Sequence, residues 1–178
     1  MEIQHFRVKL FAAPESHPKL RDAIPVFHRW IQNKSLPEMM IDVSDYEHVP
    51  SGPGIILVCH DAIYGLDEGK GRLGLAYNRR TALNGSVEDR LQQAVKSAGS
   101  AAALLEQEPE FSGKLHFNRN AWEVTVNDRM LAPNNEATWK SLEPVIRSVF
   151  DQVIGAGKYT LQHHAGEREL FRVSVAAL

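Results

Sequence analysis

Seven ionisable residues between positions 41 and 67 surround one strongly apolar run and are the first candidates for chemistry in this chain. The apolar run covers residues 55–59, and the side chains around it are Asp42, Asp45, Glu47, His48, His60, Asp61 and Asp67. Catalytic and metal-binding groups need an apolar wall and nearby charges, because both shift pKa values into a useful range. We therefore expect any polar site to lie in this segment.

The candidate binding residues are those that the pattern places at the ends of the apolar run. They are Asp42, Asp45, His48, His60, Asp61 and Tyr64. A polar pair at the end of a core strand is rigidly held and still accessible, as a site requires. The alternative interpretation is a strand that simply emerges into water, with Asp61 accepting hydrogen bonds from a loop and His60 packed beside Tyr64. We predict that any polar pocket combines His60 or Asp61 with a group from residues 42–48.

A metal site from His48 and His60 with Asp61 or Asp42 is chemically allowed, since two histidines and a carboxylate form a common ligand set. Its geometry depends on the register between two strands, which the sequence does not determine. We therefore assign no metal ligand, and no cofactor is indicated.

Known catalytic signatures are absent from the sequence, which contains no GxxxxGK[ST], HExxH, CxxC or GxSxG. The glycine-rich segments SGPG and DEGKGRLG are expected to be turns, because neither leads from a strand into a helix that could bind phosphate. Cys59 and His60 are neighbours on a predicted strand and point to opposite faces, so they do not form a catalytic pair. We expect Cys59 to be a buried core residue.

Composition indicates one ordinary globular domain over residues 1–178. The chain is 43% hydrophobic and 24% charged, with a formal net charge of −2. A nearly balanced charge predicts no binding to nucleic acid, although Lys70, Arg72, Arg79 and Arg80 form one local basic cluster. That cluster is either a solvated strand face or a phosphate-binding group.

No run of 18 apolar residues and no signal-peptide pattern is present, so we expect no membrane segment. The single cysteine has no internal disulfide partner. These features together predict a cytoplasmic protein.

The first half of the chain is predicted to be mostly strands. Residues 3–11 alternate between apolar and polar side chains, as in a strand with one solvated face. Residues 18–33 are predicted to be helical, with a break or restart at Pro25. Strands are expected at 39–43, 55–64 and 73–80, and the apolar segment 55–64 is predicted to be the centre of the sheet.

The second half is predicted to alternate hairpins with helices. Ser86 followed by Glu88 and Asp89 indicates a capped helix over 87–107, whose inward residues are Leu91, Val95, Ala98, Ala102 and Leu105. Residues 115–117 and 122–126 are predicted to form a hairpin. A helix over 136–154 and a last hairpin of 159–163 with 170–175 follow.

Hairpins outnumber strand–helix–strand crossovers in this order of elements. The fold class is therefore predicted as α+β, a largely antiparallel sheet of hairpins with two to three helices packed on it. The favoured function is a non-catalytic module that binds a small molecule or a protein partner, with a homodimer expected from exposed sheet edges. The alternative is a small-molecule enzyme that uses His60 with Asp61, His48 or Asp42 as acid–base or metal groups.

Overall fold

A computed structural model describes residues 2–166 and 168–178 and contains one eight-stranded antiparallel sheet with three α-helices packed on it. The predicted α+β class is confirmed. The strands are β1 (Phe6–Ala12), β2 (Met40–Tyr46), β3 (Gly54–Cys59), β4 (Ala62–Asp67), β5 (Gly74–Arg79), β6 (Phe117–Val126), β7 (Tyr159–His163) and β8 (Arg172–Ala177). Their order across the sheet is β2-β3-β4-β5-β1-β6-β8-β7.

The three helices are α1 (Ala23–Asn33), α2 (Val87–Gln107) and α3 (Glu136–Phe150). Helix α1 packs on β2 and β3, α2 packs on β1, β5 and β6, and α3 packs beside α2. Helix α2 has the predicted bounds because Ser86 and Asp89 form a reciprocal capping box at its first turn. Pro25 is the third residue of α1, a position where its missing N–H costs no helical hydrogen bond.

One face of the sheet forms the apolar core with the helices. Cross-strand pairing puts Tyr64, Tyr77, Val8, Val124 and Val173 side by side on this face, and all five are buried. The inward residues of α2 are buried as predicted: Leu91, Val95, Ala98, Ala102 and Leu105. The opposite face carries Arg7, Lys9 and Phe11 of β1, and we call it the open face.

The prediction of one central strand over residues 55–64 is wrong. The chain turns at His60 and Asp61, so the segment is divided between β3 and β4, which pair with each other. β5 and β1 are at the middle of the sheet, and β3 lies next to the edge strand β2. The apolar pattern hides the turn because both strands bury their residues and the two turn residues include neither glycine nor proline. Cys59 is fully buried, as predicted.

The predicted hairpin across residues 118–120 is also wrong. Residues 117–126 form the single strand β6, whose register with β1 shifts between Leu10 and Ala12. The exposed residues Asn118, Arg119 and Asn120 belong to this irregular part of the strand. Polar residues in a bulged strand resemble a turn in sequence, because both expose their side chains to water.

The last part of the chain agrees with the prediction in outline. Helix α3 contains Pro144 and is followed by one π-helical turn, Asp151–Gly155. Gly155 and Gly157 have positive φ angles and end the helical segment. β7 and β8 form the expected hairpin. Among the residues that the structure describes, no helix is both long enough and apolar enough to cross a membrane.

Candidate functional site

A cavity of about 500 Å³ lies on the open face, and we call it the open-face cavity. Its charged lining comes from strands and turns that are far apart in sequence. These residues are Arg7 and Lys9 of β1, Asp67 of β4, Lys70 and Arg72 of the following turn, Glu123 of β6 and Arg172 of β8. Five cationic side chains face two carboxylates, an excess of three positive charges.

Lys9 is the centre of this cluster and is only 2% exposed. Its Nζ donates to Asp67 Oδ1 at 2.5 Å and to the carbonyl oxygen of Arg72 at 2.7 Å. The side chain reaches Asp67 by crossing β5 over Gly74, where a Cβ would lie 2.7 Å from Lys9 Cε. A side chain at residue 74 would therefore crowd Lys9 and the carbonyl oxygen of Leu10.

The Lys9–Asp67 pair is held in an environment that disfavours isolated charge. Burial lowers the pKa of Lys9, and the opposing attraction of Asp67 offsets only part of that effect. Asp67 Oδ1 also accepts from the backbone N–H of Gly69 at 2.7 Å, and Asp67 Oδ2 accepts from Arg7 at 3.3 Å. Buried charges are retained where partners of this kind satisfy them.

Glu123 extends the cluster towards β8. It accepts a hydrogen bond from Arg172 Nη1 at 3.1 Å, and its other oxygen lies 3.7 Å from Arg7 Nη1. Charges therefore alternate from Lys9 through Asp67, Arg7 and Glu123 to Arg172. This network fixes the floor of the cavity.

Two cations at the rim are arranged differently. Arg72 places its guanidinium carbon over the Phe11 ring, 3.4 Å from the ring centre. A guanidinium that stacks on an aromatic ring can still donate from its N–H groups to an anion. Lys70 belongs to the same exposed turn. Within residues 2–166 and 168–178, neither side chain forms an ion pair. A second cavity, of about 540 Å³, shares Phe11 and Arg72 with the open-face cavity.

No family model matches this chain, and no curated protein matches it in sequence.

The sequence-predicted residues His48 and His60 are placed at opposite ends of the β2–β3 hairpin. Tyr46 pairs with Gly54 and Met40 pairs with Cys59, so His48 follows one end and His60 the other. The structure does not bring the two histidines together. Among the described residues, no group of three or more His, Cys, Asp or Glu side chains is placed to hold a metal ion.

His60 and Asp61 form an exposed pair at the β3–β4 turn. His60 Nδ1 lies 3.0 Å from Asp61 Oδ1, and the His60 side chain is 64% exposed. Hydrogen bonds from Thr81 and His60 lower the pKa of Asp61. Thr81 Oγ1 donates to Asp61 at 2.8 Å, which is the loop contact that the sequence suggested for Asp61.

Asp42 and Asp45 belong to β2 and His48 to the loop after it, and Asp45 Oδ2 lies 3.2 Å from Arg21 Nη2. Asp42 accepts from the N–H of Val43 at 2.8 Å, and Asp45 accepts from the N–H of Glu47 at 2.9 Å. His48 stacks against Tyr46 with ring centres 6.4 Å apart. Whether any of these three residues binds a ligand stays a prediction.

Asp61 and Tyr64 do line one cavity together, on the helix-covered side of the sheet. It has a volume of about 450 Å³ and also includes Glu38, so we call it the Glu38 cavity. A different cavity, of about 240 Å³, contains Tyr46 and Glu47. Asp61 and Tyr64 therefore share this cavity with Glu38, and the cavity that contains Tyr46 and Glu47 is separate from it.

Sequence reasoning missed most of the open-face cluster. Arg7 and Lys9 alternate with core residues on β1, and this pattern is typical of a solvated strand face. The sequence groups Lys70 and Arg72 with Arg79 and Arg80 in one basic cluster, but the structure separates the two pairs. Arg79 lies 4.0 Å from Asp61, and Arg80 donates to the carbonyl oxygen of Cys59. The basic cluster is the sequence feature that points to this site, because two of its four residues, Lys70 and Arg72, line the open-face cavity.

Proposed function

We propose that this protein is a binding module that takes a small anion, carrying a phosphate or carboxylate group, in the open-face cavity. The observation that carries the proposal is the excess of positive charge in the lining, in a chain whose net charge is −2. A cavity of about 500 Å³ is within the size range of small-molecule sites.

The two layers of charge suggest separate roles. Lys9, Asp67, Arg7, Glu123 and Arg172 satisfy one another and hold the floor rigid. Lys70 and Arg72 at the rim supply donors for a ligand. An arginine held flat on an aromatic ring can present two parallel N–H groups to a phosphate or carboxylate.

This arrangement favours binding over catalysis at the open face. Lys9 is buried and donates to Asp67 and to the backbone carbonyl of Arg72, so its Nζ is already occupied by protein partners. We keep the small-ligand-binding module that the sequence favours and propose its anion site on the open face, outside the candidate residues Asp42, Asp45, His48, His60, Asp61 and Tyr64.

Titration calorimetry with pyrophosphate and with citrate tests the proposal. We expect Lys70→Met and Arg72→Met each to weaken binding about tenfold or more, because a hydrogen bond to a charged group contributes about 1.5–3 kcal/mol. Arg80→Met is the matched control, since Arg80 belongs to the same sequence cluster but lies outside the cavity. An equal loss in all three variants, or no binding by the natural chain, would contradict the proposal.

We also propose that two copies associate along the edge strand β2. Ile41 in β2 is 55% exposed and Met39, just before the strand, is 70% exposed. An unpaired edge can add a strand from a second chain. Sedimentation equilibrium is the test, with Ile41→Lys expected to shift the protein towards a monomer. A monomer at all concentrations would argue against it.

A cytoplasmic location is proposed on the lone free cysteine, Cys59. Cell fractionation with an antibody to this chain tests the location.

A further inference from the structure

The Glu38 cavity lies between α2 and the ends of β4 and β5, away from the open face. Its polar lining includes Glu38, Asp61, Tyr64, Arg79, Lys96 and Ser97. Helix α2 contributes Gln93, Lys96, Ser97 and Ser100, which share one face at helical spacing. The cavity therefore combines one helix face with the ends of two strands.

A chain of hydrogen bonds runs through the wall of this cavity. Tyr77 Oη accepts from Gln93 Nε2 at 2.9 Å, and Gln93 Nε2 also donates to Ser97 Oγ at 3.0 Å. Ser97 Oγ then donates to Glu38 Oε1 at 3.4 Å, and Tyr64 Oη donates to the same oxygen at 2.9 Å. The network ends on one oxygen of Glu38.

The other oxygen, Glu38 Oε2, is buried and has no hydrogen-bond partner among the described residues. A buried carboxylate oxygen without a donor is destabilising, and native proteins keep few such atoms. Glu38 also affects its neighbour Tyr64. Burial of the phenol and the nearby charge of Glu38 together raise the pKa of Tyr64. The oxygen is therefore an acceptor that lacks a donor.

Lys96 provides the opposite charge in the same cavity. It immediately precedes Ser97 on α2, is exposed, and lines the cavity. In the part of the chain that the structure describes, Lys96 forms no ion pair. Arg79 and Asp61, the other two charges, lie 4.0 Å from each other, and Asp61 is further held by Thr81.

We propose that the Glu38 cavity binds a small zwitterion, a molecule with one ammonium and one carboxylate group, such as a free amino acid. The ammonium group donates to Glu38 Oε2, and the carboxylate pairs with Lys96. The cavity volume of about 450 Å³ accommodates a molecule of this size. This site is independent of the anion site on the open face.

A series of ω-amino acids tests the proposal by calorimetry: glycine, β-alanine, γ-aminobutyrate and 6-aminohexanoate. Butylamine and acetate serve as probes for each charge alone. We expect at least one amino acid to bind with a Kd below about 1 mM and more tightly than either half-probe. Glu38→Gln and Lys96→Met should each weaken that binding about tenfold or more.

Glu38→Gln keeps the oxygen that accepts from Tyr64 and Ser97 and replaces the unpartnered oxygen with an amide NH₂ group. A ligand-binding role predicts that this variant binds more weakly while its melting temperature is unchanged or higher. A purely structural role predicts a lower melting temperature and no effect on binding. Lys140→Met, on an exposed position of α3, is the control for loss of a lysine charge.

Three outcomes would overturn the proposal. The first is that no amino acid of the series binds the natural chain below about 1 mM. The second is that Glu38→Gln binds as tightly as the natural chain. The third is that butylamine binds as well as the best amino acid and Lys96→Met has no effect. Lys70→Met and Arg72→Met separate the two sites, because these residues line the open-face cavity and not the Glu38 cavity.

Discussion

Lys9 and Asp67 form a buried ion pair across a strand that lies between them. Lys9 belongs to β1 and Asp67 to β4, and β5 separates these strands in the sheet. The Nζ–Oδ1 distance is 2.5 Å, and each side chain is 3% exposed. The pair joins two strands that share no backbone hydrogen bonds, and it positions the turn that carries Lys70 and Arg72.

Gly74→Ala should destabilise the protein. The added Cβ would lie 2.6 Å from the carbonyl oxygen of Leu10 and 2.7 Å from Lys9 Cε, so the backbone or the ion pair must shift. We expect a loss of about 1–3 kcal/mol in the free energy of unfolding. Gly99→Ala is the control. Gly99 lies inside α2, and a Cβ there would meet only the Trp122 side chain, at 3.6 Å. That change should be neutral or stabilising by about 0.5–1 kcal/mol. Urea denaturation measures the free energy of unfolding of both variants. An unchanged value for Gly74→Ala would mean that the Lys9 side chain does not pass close to residue 74.

Removing Asp67 should cost more than removing Lys9. Asp67→Asn removes the negative charge and leaves Lys9 Nζ with neutral acceptors, which are the oxygens of residue 67 and the carbonyl oxygen of Arg72. Breaking a buried ion pair in this way costs about 3–5 kcal/mol. Lys9→Met leaves Asp67 with Arg7 and the N–H of Gly69, so the loss should be smaller.

A double-mutant cycle with Lys9→Met and Asp67→Asn measures their coupling. We expect the double variant to be less destabilised than the two single variants predict together. Glu15→Gln, an exposed carboxylate outside the cluster, controls for a change in net charge. Additive losses would indicate that the two side chains act independently.

Cys59 should make the protein sensitive to alkaline pH. Burial, with smaller contributions from Glu38 and Asp61, raises the pKa of Cys59 to about 12. An unfolded thiol ionises near pH 8.5, so the unfolded state loses its proton first and folding stability falls from about pH 8.5 upwards. Denaturant titrations across this range should show a weaker early decline in Cys59→Ala.

The same burial predicts slow thiol labelling of the native protein. Fast, stoichiometric reaction of Cys59 without denaturant would contradict the burial of β3. Above about pH 10 a further decline is expected in both proteins, because burial and Asp151 raise the pKa of Tyr159 to about 12.

Ala98→Leu should overpack the contact between α2 and the sheet. Ala98 is fully buried, and a larger side chain there would cost about 1–3 kcal/mol. Ser100→Leu, at an exposed position of the same helix, should change stability little. Thermal unfolding compares the two variants, and equal melting temperatures would show that this helix face has room for larger residues.

Binding of pyrophosphate at the open face should weaken as salt is added. Charge interactions at an accessible rim are screened over about 10 Å at 0.1 M salt. Calorimetry at two salt concentrations tests this, with the uncharged sugar glucose as a negative control. Binding that is insensitive to salt would indicate that Lys70 and Arg72 do not contribute the main attraction.

Local interactions explain the elements that the sequence predicted well. Ser86 and Asp89 begin α2 through contacts within one turn, and the period of its apolar residues identifies the buried face. Alternation in β1 likewise separates Phe6, Val8 and Leu10 from Arg7 and Lys9. Such signals lie within a few neighbouring residues, so no tertiary information is needed to read them.

The sequence by itself determined the α+β class, the bounds of α2 and the burial of Cys59. Only the tertiary structure decided that the chain turns at His60 and Asp61 and that His48 lies at the other end of the hairpin. It also decided that Lys9 meets Asp67, 58 residues away. The physical reason is strand register, since a shift of one residue moves every side chain to the other face of the sheet. Register and strand order are set by the packing of the whole core, which no local segment encodes.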